Sequence, residues 1–218
     1  DLAPASDLDL LLLHDRKVDP ADAARIWYPI WDEGLKLGHS VRTVAGAVEF
    51  AADDLDTATS LLTIRPLAGD EALVDELEVA ASEQWRKKAR RSLGALRRSV
   101  LARQAQYGEV AFLLEPDLKE GRGGLRDVHA LRWAEGARAV LEPGDAEALE
   151  AAEDVLFSAR VELHRATGRA SDQLSLQDQD AVAEALGQTA DELMADIARS
   201  ARRVAWIADE TWDRVGAS

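Results

Sequence analysis

Two short apolar patterns near the start of the chain predict β-strands. The run Leu8–Leu13 follows Asp7 directly and has the length of a buried strand. Further along, Leu35, Leu37 and Val41 occupy alternate positions of one short segment, which is the period of a strand with one buried face. We therefore expect two strands, separated by the segment that joins them.

The joining segment predicts a helix. Asp19 followed by Pro20 is typical of an N-cap with proline at the first helical position. The helix would carry Trp27 on its apolar face and end at Gly34. Because a proline inside a helix removes a backbone hydrogen bond, Pro29 predicts a kink or a restart. A strand, a helix and a second strand together indicate a fragment of an α+β fold.

The chain beyond about residue 45 has helical periodicity. Asp70 is placed to cap a helix that begins at Glu71, and Thr189–Glu192 match a capping box at the start of a long helix. One apolar stripe recurs at spacings of three and four residues: Leu149, Ala152, Leu156, Ala159 and Leu163. Long helices bury such stripes against one another, so we predict a helical bundle.

The predicted fold class is therefore α+β and mainly helical. The weakest point for a boundary lies between Pro66 and Asp70. We expect an α+β domain at residues 1–68 and a helical domain at residues 69–218. No internal repeat or low-complexity tract interrupts this organisation.

Composition narrows the classes of function. The chain has 218 residues, 47% of them apolar, which is ample for a buried core. No apolar run approaches the roughly 20 residues that span a bilayer, so we expect a soluble, cytoplasmic protein with no membrane partner. The absence of cysteine excludes disulfides and thiolate metal sites. A net charge of −15 repels a phosphate backbone, which argues against general nucleic-acid binding.

The most chemically informative feature is the pair Asp7 and Asp9. Residues two apart on a strand face the same side, so these carboxylates would point together while Leu8 and Leu10 point into the core. Two like charges at that separation favour a neutralising cation, and Mg²⁺ binds carboxylate oxygens and substrate phosphates together. The alternative is two exposed acids at the start of a strand.

Four segments of the sequence resemble the PII-signal-protein uridylyltransferases. Residues 2–11, LAPASDLDLL, resemble the aspartate strand of polymerase-β-like nucleotidyltransferases. Residues 28–32 and 37–43, YPIWD and LGHSVRT, resemble the next strand of the uridylyltransferases. Residues 115–133, from EPDLK to GGLRDVHALRW, resemble their helical-domain motif. These segments occur in the family's order, and the resemblance covers essentially the whole chain.

The resemblance implies a polymerase-β-like palm remnant followed by a helical domain. It implies transfer of UMP from UTP to a tyrosine hydroxyl of the PII signal protein, with Mg²⁺ as cofactor and Asp7 and Asp9 as its catalytic ligands. Family members add a phosphohydrolase domain and glutamine-sensing ACT domains. Since the sequence ends at Ser218, before the corresponding positions, we expect it neither to remove UMP nor to respond to glutamine.

The sequence departs from the family pattern at two places. A glycine-rich turn that contacts phosphate precedes the aspartate strand in the family, and this sequence begins at Asp1, after its position. Such sites also commonly carry a third carboxylate on the following strand, where residues 34–39 offer none. Asp32 and Glu33 lie nearby in sequence, but their positions do not identify either as that ligand. Activity of this chain by itself is therefore left open.

Residues beside these strands are further candidates. With the resemblance, Ser6, His39, Ser40 and Arg42 are predicted to bind the nucleotide, Arg42 through two parallel donors to a phosphate. Without the resemblance, the favoured interpretation is that His39 lies at the end of a strand and that Arg42 pairs with a surface acid.

A second candidate cluster lies more than a hundred residues later. Its members combine charged groups with adjacent glycines: Asp117, Lys119, Gly123, Gly124, Arg126 and Asp127. The glycines would let backbone amides approach an anion at a helix N-terminus, while Lys119 and Arg126 would neutralise a triphosphate. A glycine-rich interhelical turn is the alternative. If the nucleotide interpretation is right, the site lies between the two halves of the chain.

Other conspicuous residues have simpler interpretations. Eight basic residues and no acidic one occur at residues 86–103; they could steer UTP or a partner, but a solvated helix face is favoured. The six tryptophans have helix-core spacings, and we expect them to be packing residues. His14, His129 and His164 lack the spacing of metal ligands, so zinc is not expected.

The sequence leaves two rival functions open. The first is the same chemistry with another nucleotide, such as adenylylation of PII. The second is a non-catalytic helical interaction fragment that retains the acids. Asp7 and Asp9 count against the second, whereas the missing glycine turn and third carboxylate favour it.

Overall fold

A computed structural model describes residues 2–15, 18–138 and 140–217. These residues form two compact units. The strand unit is Ser6–Ser92, and the helical unit comprises the described residues of Asp1–Ala5 and Leu93–Ser218. The predicted division into an α+β domain at residues 1–68 and a helical domain at residues 69–218 stays a prediction.

The strand unit contains both predicted strands. Strands β1 (Leu8–Leu13) and β2 (Leu37–Arg42) pair in parallel, with Leu8 opposite Leu37 and Asp9 opposite Gly38. Since parallel strands need a crossover connection, the helix between them is part of the same unit of structure. The two predicted strands are confirmed.

Helix α1 (Pro20–Asp32) is the crossover connection between the strands. The Asp19 carboxylate caps it by accepting a hydrogen bond from the backbone N–H of Ala21 at 2.8 Å. The helix continues through Pro29, so the predicted restart is wrong. Gly34 follows with a φ of +73°, a conformation that glycine adopts without strain.

Three capped helices complete the strand unit. They are α2 (Val44–Ala51), α3 (Leu55–Leu61) and α4 (Glu71–Lys87). Their N-caps are Thr43, Asp54 and Asp70, and each side chain accepts a backbone N–H of the first turn. Their apolar faces form one core, against which Leu11 and Leu13 of β1 pack.

The helical unit is built around one long helix pair. Its elements are the end of α5 (Ala89–Tyr107), a 3₁₀ turn (Val110–Phe112), α6 (Leu125–Ala137), α7 (Asp145–Thr167), α8 (Leu176–Ala185) and α9 (Ala190–Ala217). The predicted stripe on α7 is buried from Leu149 to Leu163. It packs with the buried face of α9, which includes Leu193 and Ile197.

The predicted capping box begins α9. The Thr189 hydroxyl accepts the Glu192 N–H at 3.3 Å, and the Glu192 carboxylate accepts the Thr189 N–H at 2.9 Å. These bonds hold the pKa of Glu192 below its usual range, because they favour the charged carboxylate. The capping-box prediction is confirmed.

The expectation that every tryptophan is a packing residue is wrong for two of them. Trp31 is 40% exposed, and its ring contacts those of Tyr28 and His39. Trp206 is more exposed than Trp31. Its side chain is 52% exposed, and the guanidinium of Arg203 lies 4.9 Å from its ring centroid. Trp27, Trp85 and Trp212 are buried, as predicted. A helix-core spacing identifies a face, but packing of neighbours decides which positions of that face are covered.

The described residues are mainly helical with one two-stranded sheet, which confirms the coarse α+β class. The narrower assignment to a polymerase-β-like palm stays a prediction. Within the described ranges, no helix is long and apolar enough to cross a membrane.

Candidate functional site

The predicted carboxylate pair lies at the start of β1. Asp7 precedes the strand, Asp9 is its second residue, and both are exposed. Leu11 and Leu13 share the face of Asp9 by alternation and pack on the core of the strand unit. These two leucines therefore pack on the core from the face of Asp9, whereas the prediction had Leu8 and Leu10, on the opposite face, pointing into the core.

Each aspartate has a different neighbour on the adjacent strand. The Lys36 ammonium lies 3.9 Å from a carboxylate oxygen of Asp7, and both side chains are mostly exposed. Asp9 stands opposite Gly38, and its carboxylate lies over the space where a side chain at that position would begin. Among the residues that the structure describes, Lys36 is thus an ion-pair partner of Asp7, and Asp9 has no such partner.

The predicted residues of β2 divide between the two faces of the sheet. Ser40 and Arg42 share the face of Asp9, and the Arg42 guanidinium lies 4.1 Å from the centroid of the Phe50 ring. Cation–π contact at that distance orients the guanidinium without neutralising it. Ser6, also a predicted site residue, is half-buried immediately before Asp7.

His39 lies on the opposite face of the sheet. Its ring centroid is 5.1 Å from that of Trp27 and 5.3 Å from that of Trp31, both on α1. Strand alternation therefore places His39 on the face opposite to Asp9, although both were predicted to belong to one site. An open cavity of about 380 Å³ lies on this face, lined by His14, Val18, Ala23, Ala24, Trp27, Tyr28, Trp31, His39 and Val41.

The carboxylate pair fits a hard divalent cation in its chemistry. Asp7 and Asp9 are both exposed carboxylates two residues apart, and the empty side-chain position at Gly38 leaves room for the Asp9 carboxylate. Mg²⁺ commonly takes only one or two carboxylates and completes its shell with water and substrate phosphates. Across residues 2–15, 18–138 and 140–217, no group of three or more metal-binding side chains occurs.

The second predicted cluster begins with a turn at Asp117. One carboxylate oxygen of Asp117 accepts the N–H groups of Lys119 and Glu120, at 3.0 and 2.7 Å. Burial raises the pKa of Asp117, and the two backbone hydrogen bonds oppose that rise. Asp117 therefore holds the turn that carries Lys119.

Gly123 and Gly124 are packed closely against backbone. A Cβ on Gly123 would lie 2.4 Å from the Ala201 carbonyl oxygen, and the φ of Gly123 is +82°. A Cβ on Gly124 would lie 2.8 Å from the carbonyl oxygens of Leu118 and Gly121. The geometry thus requires glycine at both positions for the fold itself.

The amides at the start of α6 already have acceptors. Gly124 donates to the Gly121 carbonyl at 2.9 Å, and Arg126 donates to the Lys119 carbonyl at 3.0 Å. Gly123 donates to the Asp127 carboxylate at 2.7 Å. An anion would have to displace these bonds, so the predicted cradle of free amides is not present in this arrangement.

Asp127 is a buried structural anchor. It is 1% exposed and forms an ion pair with Arg103 and a hydrogen bond from Gln104 at 3.0 Å, in addition to the bond from Gly123. Because buried charges are stable only when paired and hydrogen-bonded, these contacts account for its location. The structure gives Asp127 the role of joining α5 to the turn before α6.

Lys119 and Arg126 remain partly exposed, and both lie near Glu120. The Arg126 Nε is 3.4 Å and the Lys119 Nζ 4.0 Å from one Glu120 oxygen. Their side chains are 44% and 31% exposed. Such long contacts are weak, so Arg126 can exchange Glu120 for another anion, whereas Lys119 also has Asp172 at 3.5 Å.

An ion-pair network that the sequence did not predict centres on Asp172. Arg160 lies 2.6 Å, His164 3.2 Å and Lys119 3.5 Å from its carboxylate. Burial alone would raise the pKa of Asp172, but hydrogen bonding and charge from Arg160, with Lys119 and His164, lower it below its usual range. The other ring nitrogen of His164 accepts the Ala5 N–H at 3.2 Å. Arg160, His164 and Asp172 lie within one short stretch of sequence, but Lys119 and Ala5 come from distant parts of the chain, so no local pattern shows that all of them meet.

The basic segment at residues 86–103 has mixed roles. Lys87 pairs with Glu83 at 3.1 Å and Arg91 with Asp53 at 2.9 Å, all with exposed side chains, as a solvated face predicts. Arg103 differs, because its side chain is only 14% exposed and pairs with the buried Asp127. The solvated-face prediction is wrong for that residue.

Comparison with known proteins identifies the class of protein first. Residues 91–212, more than half of the chain, match the family model described as GlnD PII-uridylyltransferase. No solved structure matches the chain significantly.

Curated relatives extend the match over almost the whole chain. The chain is 47% identical over 99% of its length to a "Bifunctional uridylyltransferase/uridylyl-removing enzyme" of Streptomyces coelicolor, covering 26% of that protein. It is 43% identical over 86% of its length to one of Mycobacterium tuberculosis and 35% identical over 96% to one of Rhodopseudomonas palustris, covering 24% of each. The chain belongs to the GlnD PII-uridylyltransferase family. It spans about a quarter of the length of these relatives.

Proposed function

We propose that this chain carries part of a nucleotidyl-transfer site that moves UMP from UTP to a tyrosine of the PII signal protein. In the reaction, the tyrosine oxygen forms a bond to the α-phosphorus. The bond from that phosphorus to the bridging oxygen of the β-phosphate breaks, pyrophosphate leaves, and the tyrosine loses its proton. Family membership and the names of the relatives support this reaction class.

One observation carries the proposal: Asp7, just before β1, and Asp9, its second residue, are both exposed. The carboxylate of Asp9 has no cation of its own within the described pairs, and that of Asp7 has only a long, exposed contact with Lys36. Such a pair is poised to hold Mg²⁺, which, when bound, supplies positive charge to the α-phosphate and the departing oxygen.

Other residues of the chain have narrower proposed roles. Arg42, on the face of Asp9 and held against Phe50, is suited to bind a phosphate oxygen. In the helical unit, Lys119 and Arg126 are partly exposed cations suited to neutralise charge on the pyrophosphate.

Four members of the second cluster have supporting rather than contacting roles in this proposal. Asp117 forms the turn that contains Lys119, and Asp127 ties that turn to α5. Gly123 and Gly124 permit the close backbone packing. Cofactor contacts by these four would require the existing hydrogen bonds to break.

A second candidate is a non-catalytic interaction fragment. The observation that favours it is that the charged groups of the helical unit are largely paired with one another, as at Asp127 and Asp172. In that case UTP would not bind in a Mg²⁺-dependent way.

The test compares Asp7→Ala and Asp9→Ala with the matched control Asp75→Ala, an exposed acid on α4 of the same unit. UTP and ATP binding are measured with and without Mg²⁺, together with transfer of labelled UMP to PII. We expect both site variants to lose Mg²⁺-dependent binding and transfer, and the control to retain them. Near-normal turnover by either site variant with an unchanged circular-dichroism spectrum would show that the metal assignment is wrong. Tighter ATP binding would favour adenylylation, and no nucleotide binding by the parent chain would favour the interaction fragment.

A further inference from the structure

Gly38 is a glycine whose presence the backbone does not explain. It lies inside β2, and its φ is not among the positive values that glycines of this chain adopt. Glycine within a strand weakens it, because it loses more conformational freedom on folding and offers no side chain to pack. The reason for glycine at this position must therefore be the space it leaves.

That space is occupied by Asp9. A Cβ on Gly38 would lie 2.3 Å from the Asp9 Oδ1 and 3.5 Å from its Cγ. The nearest backbone atom, the Leu8 carbonyl oxygen, would be 3.7 Å away, which is an ordinary contact. Only the carboxylate would have to move, and it is the exposed end of a side chain that can change rotamer.

This situation differs from that of Gly123 and Gly124. A side chain at those positions meets backbone carbonyls, so substitution strains the fold. At Gly38 substitution redirects one carboxylate and leaves the paired strands in place.

We propose that Gly38 is a positioning residue for Asp9. By leaving room over β2, it lets the Asp9 carboxylate lie across the sheet and sets the direction in which its oxygens face a cation shared with Asp7. This inference rests on the proposed function, because it assigns Gly38 a role in the same metal-binding site.

Substitutions of Gly38 by residues with higher strand propensity can distinguish a role in positioning Asp9 from a purely structural role. Alanine and especially valine are better strand residues than glycine, so Gly38→Ala and Gly38→Val should preserve or raise the stability of the strand unit. Both place a Cβ against Asp9, so both should weaken metal binding. A purely structural role predicts that stability and metal affinity change together.

The experiment measures Mn²⁺ affinity by electron paramagnetic resonance for the full chain. We expect Gly38→Ala to weaken Mn²⁺ binding by roughly 10- to 100-fold, the range typical when a ligand loses its orientation. Gly136→Ala is the control, since a Cβ there meets nothing within 4 Å. In an Asp9→Ala background, Gly38→Ala should cause no further loss, because Gly38 acts through Asp9.

A second readout does not depend on metal. The ¹³Cγ resonance of Asp9, assigned by its disappearance in Asp9→Ala, should shift in Gly38→Ala and stay unchanged in Gly136→Ala. Unchanged Mn²⁺ affinity in Gly38→Ala, or an unchanged Asp9 resonance, overturns the inference. If the parent chain binds no Mn²⁺, the metal assignment of the proposed function fails, and the resonance still decides whether Gly38 orients Asp9.

Discussion

The strand unit and the helical unit each contain an acid next to glycine, and they use this combination in opposite ways. Asp9 stands opposite Gly38 with an exposed carboxylate. Asp127 follows Gly123 and Gly124 and is buried, paired with Arg103 and bonded to a backbone N–H. The first carboxylate is left available to a ligand, whereas the second is used by the fold.

The same contrast holds for the cations. Arg103 is almost completely enclosed with its acid, whereas Lys119 and Arg126 make long, solvated contacts with Glu120. Enclosed pairs cannot exchange partners without exposing a buried charge, but solvated pairs can. Residue type therefore does not separate binding groups from structural ones; the degree of enclosure does.

The largest effect should follow from removing the enclosed acid. Asp127→Ala leaves Arg103 without its partner and Gly123 without an acceptor, so we expect a loss of about 3–5 kcal/mol in the free energy of unfolding. Chemical denaturation of the chain measures it. Asp75→Ala should stay within about 0.5 kcal/mol, as exposed sites generally do. A loss below about 1 kcal/mol in Asp127→Ala would mean that Asp127 is not a structural anchor.

Gly123→Ala should have the next largest effect. Its Cβ would lie 2.4 Å from the Ala201 carbonyl oxygen, and its φ of +82° disfavours any side chain. Overpacking and strain together should lower stability by about 2–4 kcal/mol, measured by urea unfolding. Gly136→Ala, in the helix that follows, should be neutral or slightly stabilising. Equal stabilities for the two variants would contradict the packing role of Gly123.

Lys119→Ala tests a solvated cation. Loss of one charge-assisted contact to a phosphate costs about 1.5–3 kcal/mol, so UTP affinity should fall roughly tenfold to hundredfold. Stability should fall by no more than about 1 kcal/mol, since the contact with Asp172 is partly exposed. Calorimetric titration with UTP measures the first effect. Lys87→Ala is the control, an exposed lysine paired only along its own helix; an equal loss of affinity there would remove Lys119 from the site.

Asp117→Asn should have the smallest effect on stability, and the direction of that effect should depend on pH in a way that the pKa of Asp117 predicts. Since burial raises the folded-state pKa of Asp117, its contribution to stability falls as pH rises from the unfolded value, about 3.9, through the raised folded value. Asparagine keeps an oxygen for the Lys119 and Glu120 N–H groups and does not ionise. We expect the stability of the variant, relative to that of the parent chain, to rise between pH 4 and pH 7. Chemical unfolding of both proteins at pH 4 and at pH 7 measures this difference. A variant that is less stable relative to the parent chain at pH 7 than at pH 4 would contradict the prediction.

Local signals in the sequence determined much of the secondary structure. Asp70 caps α4 and the Thr189 capping box begins α9, because an N-cap bond joins residues two or three apart. The stripe from Leu149 to Leu163 is buried, because helical periodicity alone defines that face. Strand alternation likewise places Asp7 and Asp9 together, and it could have separated His39 from them.

Tertiary structure alone decided which polar groups are free. Asp9 and Asp127 are both acids in predicted binding motifs, but the partner of Asp127 is Arg103, 24 residues away, and the neighbour of Asp9 is Gly38 on another strand. The Ala201 carbonyl that makes Gly123 necessary belongs to α9, far along the chain. Such contacts depend on how helices and strands pack, and no short pattern encodes them. For that reason the sequence could identify candidate carboxylates, cations and glycines. Burial by residues distant in sequence decided which of them stabilise the fold and which stay accessible to a ligand.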